Sequence, residues 1–223
     1  MKDIQKKVLI FILFLSASSA VFAGTKKINV SCSENDAEIF ANGQLMGKGK
    51  ALIVMPAYTD VTVECVKVGF LTEKMQFYNK PNNPEPPKTY HFKMRVDDAY
   101  EASTKTDVAN LDLELKTTKN EDDAWLLINR VILSYIDVIE VTDKSTGYLR
   151  TAWSVQNFTQ ATIRTRLIIK LGDKNPLSYK MKLVSEYSKI PGVSSKDDQS
   201  FKEWDRVLRK YEPLVTELPS RLR

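Results

Sequence analysis

Histidine is almost missing from this chain: its 223 residues contain one, His91. A histidine–acid–nucleophile apparatus would have to use that residue, and so would any zinc site built on imidazole. His91 stands in the alternating run TYHFKM, where an ordinary strand histidine is the simplest reading. Cysteine occurs twice, at Cys32 and Cys65. The sequence carries no P-loop, GxSxG, HExxH or CxxC pattern, and no acidic loop with calcium-binding spacing. Net charge is small, at +5, which does not announce a nucleic-acid binder. The unbroken apolar run at residues 8–15 is too short for the roughly 20 residues that a membrane-spanning helix needs, and no second apolar stretch is long enough either. These absences leave no signature of catalysis, cofactor or metal, so the expectation is a chain that is not an enzyme and holds no cofactor.

What is present begins with an export signal. Lys2, Lys6 and Lys7 precede the apolar run VLIFILFL, and SASSAVFA follows with Val21 and Ala23 at the −3 and −1 positions of a cleavage site. This is the layout of a secretory signal peptide over residues 1–23, with a mature chain starting near Gly24. An uncleaved anchor is the alternative. Removing residues 1–23 takes away three lysines and one aspartate and leaves +3. The expected location is outside the cytoplasm, in the periplasm or at the outer-membrane periphery, with no membrane span in the mature chain.

Residues 24–96 read as a small β-sandwich. Alternating runs at INVSC, AEIFA and VTVECVKV are separated by turn residues, and ALIVM is closed by Pro56. Asn42-Gly43 is the strongest hairpin signal, because both turn positions require positive φ. Further strands are expected over Lys74–Tyr78 and Lys88–Val96. The pieces SENDAEI, NGQLMG and VTVECVKVGF resemble the PEGA domain family, although Asn35-Asp36 replaces that family's Pro-x-Gly. The resemblance covers about fifty residues of the chain and implies a β-sandwich accessory module with a binding or spacer role. It assigns Gly43, Gly47 and Gly69 to backbone geometry, beside the turn residue Asn42. In an oxidising compartment the even pair Cys32 and Cys65 suggests one disulfide. A reduced, packed pair is the alternative.

Residues 97–110 are polar, lack a sustained apolar period, and read as an inter-domain joint. Residues 111–223 read as an α+β domain. LDLEL opens it as a strand, and Ala124, Trp125, Ile128, Val131, Ile132 and Tyr135 fall on one helical face behind three acids. Four strands follow, over Val138–Thr142, Tyr148–Val155, Ile163–Leu171 and Leu177–Tyr187. A long last helix is expected through Phe201, Trp204, Val207, Leu208, Tyr211, Val215 and Leu218, kinked or divided at Pro213. An antiparallel sheet covered by two helices is a helix-grip-like arrangement. The helix, strand, Asp143-Lys144-Ser145-Thr146-Gly147 turn and following strand resemble the repeated unit of the BamC-type outer-membrane lipoproteins. That resemblance implies the fold and a place in envelope assembly, and the lipid-bearing cysteine of that family is absent.

Alternation nominates one candidate surface. Arg150, Arg164, Arg166, Lys170, Lys180 and Lys182 all fall opposite the residues expected under the helices. They would form a docking face for an acidic envelope protein, an anionic glycan or a lipid surface, against the alternative of an ordinary solvated sheet. Trp125, Trp153 and Trp204 fall on core registers. The acids at 97–98, 121–123 and 197–198 fit helix starts and loops better than a facing catalytic pair. The expected function is a non-catalytic exported envelope protein, a binding or assembly module with a place in outer-membrane assembly. The alternatives are a carbohydrate- or peptidoglycan-binding protein, with Tyr58, Phe70 and Tyr78 as its aromatic platform, and a carboxylate-dependent hydrolase.

Overall fold

Strand alternation in the first half buries one face of most strands, the edge strand over Gln44–Lys48 excepted, and two sheets result. The structure, a computed structural model, describes residues 24–223, so the signal-peptide reading lies outside the described residues. The chain divides into two compact units, the first ending at Arg95 and the second spanning Val96–Arg223.

In the first unit, β1 (Lys26–Cys32) lies between β4 (Lys50–Met55) and β7 (Thr89–Phe92). The second sheet runs β3 (Gln44–Lys48), β2 (Glu38–Ala41), β5 (Thr59–Val66) and β6 (Glu73–Asn79). Ile28, Val30, Ile53, Met55 and Phe92 from one sheet meet Ile39, Val61, Val63 and Phe77 from the other in a single buried cluster. Cys32 and Cys65 belong to different sheets and are joined as a disulfide, with Cα atoms 6.9 Å apart. The hairpin at Asn42-Gly43 forms as its residues require, with φ of 47° and 80°. Gly47 is a correction: it lies inside β3, not at a turn, and a Cβ there would come within 2.8 Å of the Lys50 carbonyl oxygen. The last strand is also shorter than the alternation implied. It ends at Phe92 and pairs with β1 in parallel, while Met94 donates its backbone N–H to the Ser33 hydroxyl instead of continuing the ladder.

The second unit is organised by one long hairpin, β13 (Thr162–Lys174) and β14 (Leu177–Ser188). Near its tip, β11 (Tyr148–Thr151) and then β10 (Ile139–Asp143) extend the sheet beyond β13, and β9 (Asp112–Lys116) extends it beyond β14. Near its base, β12 (Ser154–Asn157) pairs with β13 and β15 (Lys202–Glu203) pairs with β14. All these pairs are antiparallel.

The segment 97–110 is not a joint but part of this unit. It forms a short helix α1 (Asp98–Glu101) and a strand β8 (Ser103–Lys105), which pairs with β16 (Arg206–Leu208). The Asn110 amide donates to the Ser185 and Trp204 carbonyls. Its polar composition is explained by these caps and bridges, which satisfy polar groups locally.

Two helices cover one face of the sheet. α2 (Glu121–Leu133) starts at Asn120, whose side chain accepts the Asp123 N–H at 2.9 Å, and its three leading acids favour that end. Its buried residues are Ala124, Trp125, Ile128, Val131 and Ile132. α3 (Glu212–Leu222) buries Leu214, Leu218 and Leu222. Both helices pack against Leu115, Leu149, Ile163, Leu167, Ile169, Tyr179, Met181 and Leu183 of the sheet.

The expected long last helix is therefore shortened. Residues 201–208 are largely extended, because Val207 and Leu208 pair with β8, and the helix starts only at the turn carrying Pro213. Proline fits a first helical turn, where its missing N–H is no loss.

Candidate functional site

The face of the second-unit sheet opposite α2 and α3 is the candidate surface, and strand parity decides what lies on it. Along β13 the inward residues are Ile163, Thr165, Leu167 and Ile169, which leaves Arg164, Arg166, Ile168 and Lys170 outward. Along β14, Lys180, Lys182, Val184 and Glu186 point the same way. The register sets Arg164 opposite Glu186, Arg166 opposite Val184, Ile168 opposite Lys182, and Lys170 opposite Lys180. Arg150 on β11 lies opposite Ile168 on the other side.

The expected register of Tyr148–Val155 fails in its second half. The ladder breaks at Ala152 and Trp153, between β11 and β12, and the break inverts the parity. Leu149 and Thr151 face the core, but Val155 lies beside Arg164 and is 39% exposed. Trp153 is thereby carried out of the core to the outer face, where Arg164 and Arg166 lie over its ring at 4.2 and 4.1 Å from the centroid. Trp125 packs in the core from the helical face its spacing implied, and Trp204 packs against the same core from an extended segment, not from the helix expected there.

The six cations do not form one open field. Arg164 is the clearest correction, since it is only 3% exposed. Its guanidinium lies 4.1 Å from the Phe201 ring as well as over Trp153. Nε and Nη2 both reach one oxygen of Glu186, at 2.6 and 2.5 Å. Nη1 donates to the Ser195 carbonyl at 2.5 Å and pairs with Asp198 at 2.7 Å. A buried guanidinium needs such partners, because an uncompensated charge at low dielectric is costly. Arg164 therefore anchors the Ser195–Phe201 stretch to the sheet and is not a free docking residue.

Arg150 pairs with Glu140 at 3.0 Å, and Lys182 with Asp112 at 3.3 Å. Arg166, Lys170 and Lys180 make no ion pair among the described residues. Glu114 faces Lys180 across β14 and β9, but its carboxylate pairs with Lys116 at 3.3 Å. Two lysines directly opposite each other on one sheet face repel, by an amount comparable to other cross-strand pair terms, roughly 0.2–1 kcal/mol.

The acids have structural posts. Asp97 caps α1 by accepting the Ala99 and Tyr100 N–H groups. Asp197 accepts from the Ser200 hydroxyl, and Asp122 pairs with Lys144. Asp143 closes the turn after β10, accepting from the Ser145 N–H and hydroxyl and the Thr146 hydroxyl. Those hydroxyl bonds hold its carboxyl below the usual range. Gly147 completes this turn at φ 62°, where a Cβ would strike Leu171. In the first unit, Lys67 holds the carboxyl of Asp36 below its ordinary value. Among the described residues no group of three or more histidine, cysteine or carboxylate side chains could hold a metal ion.

The aromatic trio of the first unit is not assembled into a platform. Phe70 packs against the core with Lys67 above it, Tyr58 is exposed, and Tyr78 is half-buried in β6. His91 is an exposed strand residue whose Nδ1 lies 2.9 Å from the Ser31 hydroxyl. Beside it, the outer face of the three-stranded sheet carries a shallow groove of about 470 Å³, lined by Asn29, Ser31, Lys50, Leu52 and Thr89 among others.

Sequence reasoning missed Trp153, Glu186, Asp198 and Phe201 as the residues that decide which cations are free. Local alternation carries no signal for them, because the contacts join residues up to 48 positions apart, from Trp153 to Phe201, through Arg164. No protein-family model matches the chain, and no curated protein matches it with significant similarity.

Proposed function

We propose that this protein is a non-catalytic binding module of the cell envelope, with the outer face of the second-unit sheet as its docking surface for an acidic partner. The observation that carries this reading is the state of Lys170, Lys180 and Arg166. They share one sheet face, have no carboxylate partner among the described residues, and include a like-charge pair directly across two strands. Acids elsewhere on the sheet neutralise their neighbours, so the unpaired set stands apart from the paired one. Ile168 and Val184, half-buried between these cations, add apolar contact area.

A location outside the cytoplasm is supported by the buried Cys32–Cys65 disulfide and by the signal layout of residues 1–23. Among the described residues no helix is long and apolar enough to cross a membrane. The resemblances to PEGA modules and to BamC-type lipoprotein domains point the same way, toward a sandwich and a helix-grip-like domain serving envelope assembly. A second reading, glycan binding, rests on the groove of the first unit, where Asn29, Ser31 and Thr89 offer an amide and two hydroxyls beside the apolar Val30, Ala51 and Leu52.

A photoreactive amino acid at Val184, crosslinked in intact cells, tests the proposal. The expected product is a covalent adduct with an envelope polypeptide, absent when the same group is placed at Leu126, an exposed residue of α2. Adducts of glycan alone, or equal adducts from both positions, contradict it.

A further inference from the structure

Arg164 and Arg166 are two residues apart on the same face of the same strand, and both touch the same tryptophan ring. The contacts run in series from Phe201 to Arg164 to Trp153 to Arg166, each guanidinium about 4 Å from its ring centroid. Contact with an aromatic face fixes the position of each guanidinium while leaving the N–H groups, which lie in the guanidinium's own plane, free to bond.

The two rungs differ in what they bond. Arg164 has the Glu186 and Asp198 carboxylates and a carbonyl. The Arg166 side chain, at the end of the series, makes no hydrogen bond or ion pair among the described residues, and its Nε is buried without a partner. A buried donor left unbonded costs free energy, and a charged one costs more. The chain satisfies a stacked guanidinium in this series with carboxylates, and at Arg166 it supplies none.

Resting on the docking-face reading above, we propose that Arg166 is the specificity-determining anchor of that face and that it takes a carboxylate from an extended acidic polypeptide segment. The pattern along β13 sets the form of the segment. Arg166, Ile168 and Lys170 present cation, apolar and cation at every second residue, spaced about 6–7 Å per pair of residues in a strand. An extended peptide with acids at i and i+4 and an apolar residue at i+2 matches that spacing. Opposite them on the neighbouring strand stand Val184, Lys182 and Lys180, so Val184 adds apolar area beside Arg166 and Lys180 adds a second cation beside Lys170. An array of lipid headgroups has no fixed spacing to match, and a neutral glycan has no carboxylate to offer.

The test uses the full chain purified from the envelope and the peptide acetyl-Ser-Glu-Ala-Val-Ala-Glu-Ser-amide, with binding followed by isothermal titration calorimetry. The proposal expects saturable binding that weakens about tenfold or more in Arg166→Gln, the effect of losing a charged hydrogen-bonded pair. Arg166→Lys should recover only a minor part of it, because a lysine keeps the charge and loses the planar fork. Replacing the first glutamate of the peptide by glutamine should weaken binding to the parent protein but not the residual binding to Arg166→Gln, whose circular dichroism spectrum and urea midpoint should match the parent's. If Lys170→Glu abolishes binding while Arg166→Gln leaves it unchanged, the anchor is overturned and the docking face stands. Absence of saturable peptide binding, or equal displacement of the peptide by phosphatidylglycerol vesicles, overturns the anchor and its polypeptide ligand.

Discussion

The two units use their sheets differently. The first sets two sheets face to face, so each inner face is consumed by the other, and a disulfide ties them together. The second has one principal sheet with helices on a single side. Its other side needs a different solution, and it has two. Near the hairpin base, Trp153, Phe201 and the Ser195–Asp198 stretch close over Arg164. Toward the tip, nothing closes over Lys170 and Lys180, both of which are exposed among the described residues. A sheet covered on both sides reports on stability. A sheet covered on one side, with an uncompensated charge pattern on the other, is the observation on which the proposed docking surface rests.

The comparison can be broken most severely at Arg164. Arg164→Ala removes the partner of Glu186 in a largely buried setting, and breaking such a pair costs about 3–5 kcal/mol. The loss should appear in urea unfolding followed by tryptophan fluorescence, which reports the second unit because Trp125, Trp153 and Trp204 all lie there. A change under about 0.5 kcal/mol, the range of ordinary surface substitutions, would return Arg164 to the open face.

In the first unit the corresponding element is the disulfide, which closes 33 positions of sequence. The double substitution Cys32→Ala, Cys65→Ala should cost about 3–4 kcal/mol by the chain-entropy account. Urea unfolding followed by tyrosine fluorescence and amide circular dichroism measures it. An unchanged midpoint would mean that the facing sheets hold without their staple.

Acid should act on both units through lowered carboxyls, with smaller effect. Lys67 lowers the folded-state value of Asp36 from its ordinary 3.8, and the Ser145 and Thr146 hydroxyls do the same for Asp143. A depressed carboxyl contributes stability above its unfolded-state value and loses it as pH falls through the folded one. Unfolding midpoints should therefore decline as pH drops below 3.8. Asp36→Asn and Asp143→Asn should each flatten that decline. A variant whose pH profile overlays the parent's would remove its carboxyl from the account.

Much of this organisation is legible in the sequence, and the exceptions share a cause. The Asn42-Gly43 hairpin, α2 behind Asn120 and the β13–β14 pair follow from local signals: positive-φ residues, a cap with acids, and sustained alternation. The parallel seat of β7, the extended path of residues 201–208 and the folding of residues 97–110 into the second unit depend on partners far along the chain. Parity is the sharpest case. Within one strand, alternation places side chains correctly until an irregular residue intervenes, and then it places the later ones of that strand wrongly. At Ala152–Trp153 that inversion moved Trp153 to the outer face and with it the cover over Arg164. The six cations do share the outer face of the sheet, but Arg150, Arg164 and Lys182 are engaged by the chain's own acids.

Lys170 offers the most direct measurement. Lys170→Glu turns the like-charge pair with Lys180 into an opposite-charge pair, so stability should be unchanged or rise by a few tenths of a kcal/mol, up to about 1. If the open face is a docking surface, the same substitution should abolish recovery of the partner crosslinked through Val184, and the loss in a better-folded protein could not be attributed to unfolding. Partner recovery equal to that of the parent, with stability raised, would contradict the account and make this face an ordinary solvated sheet.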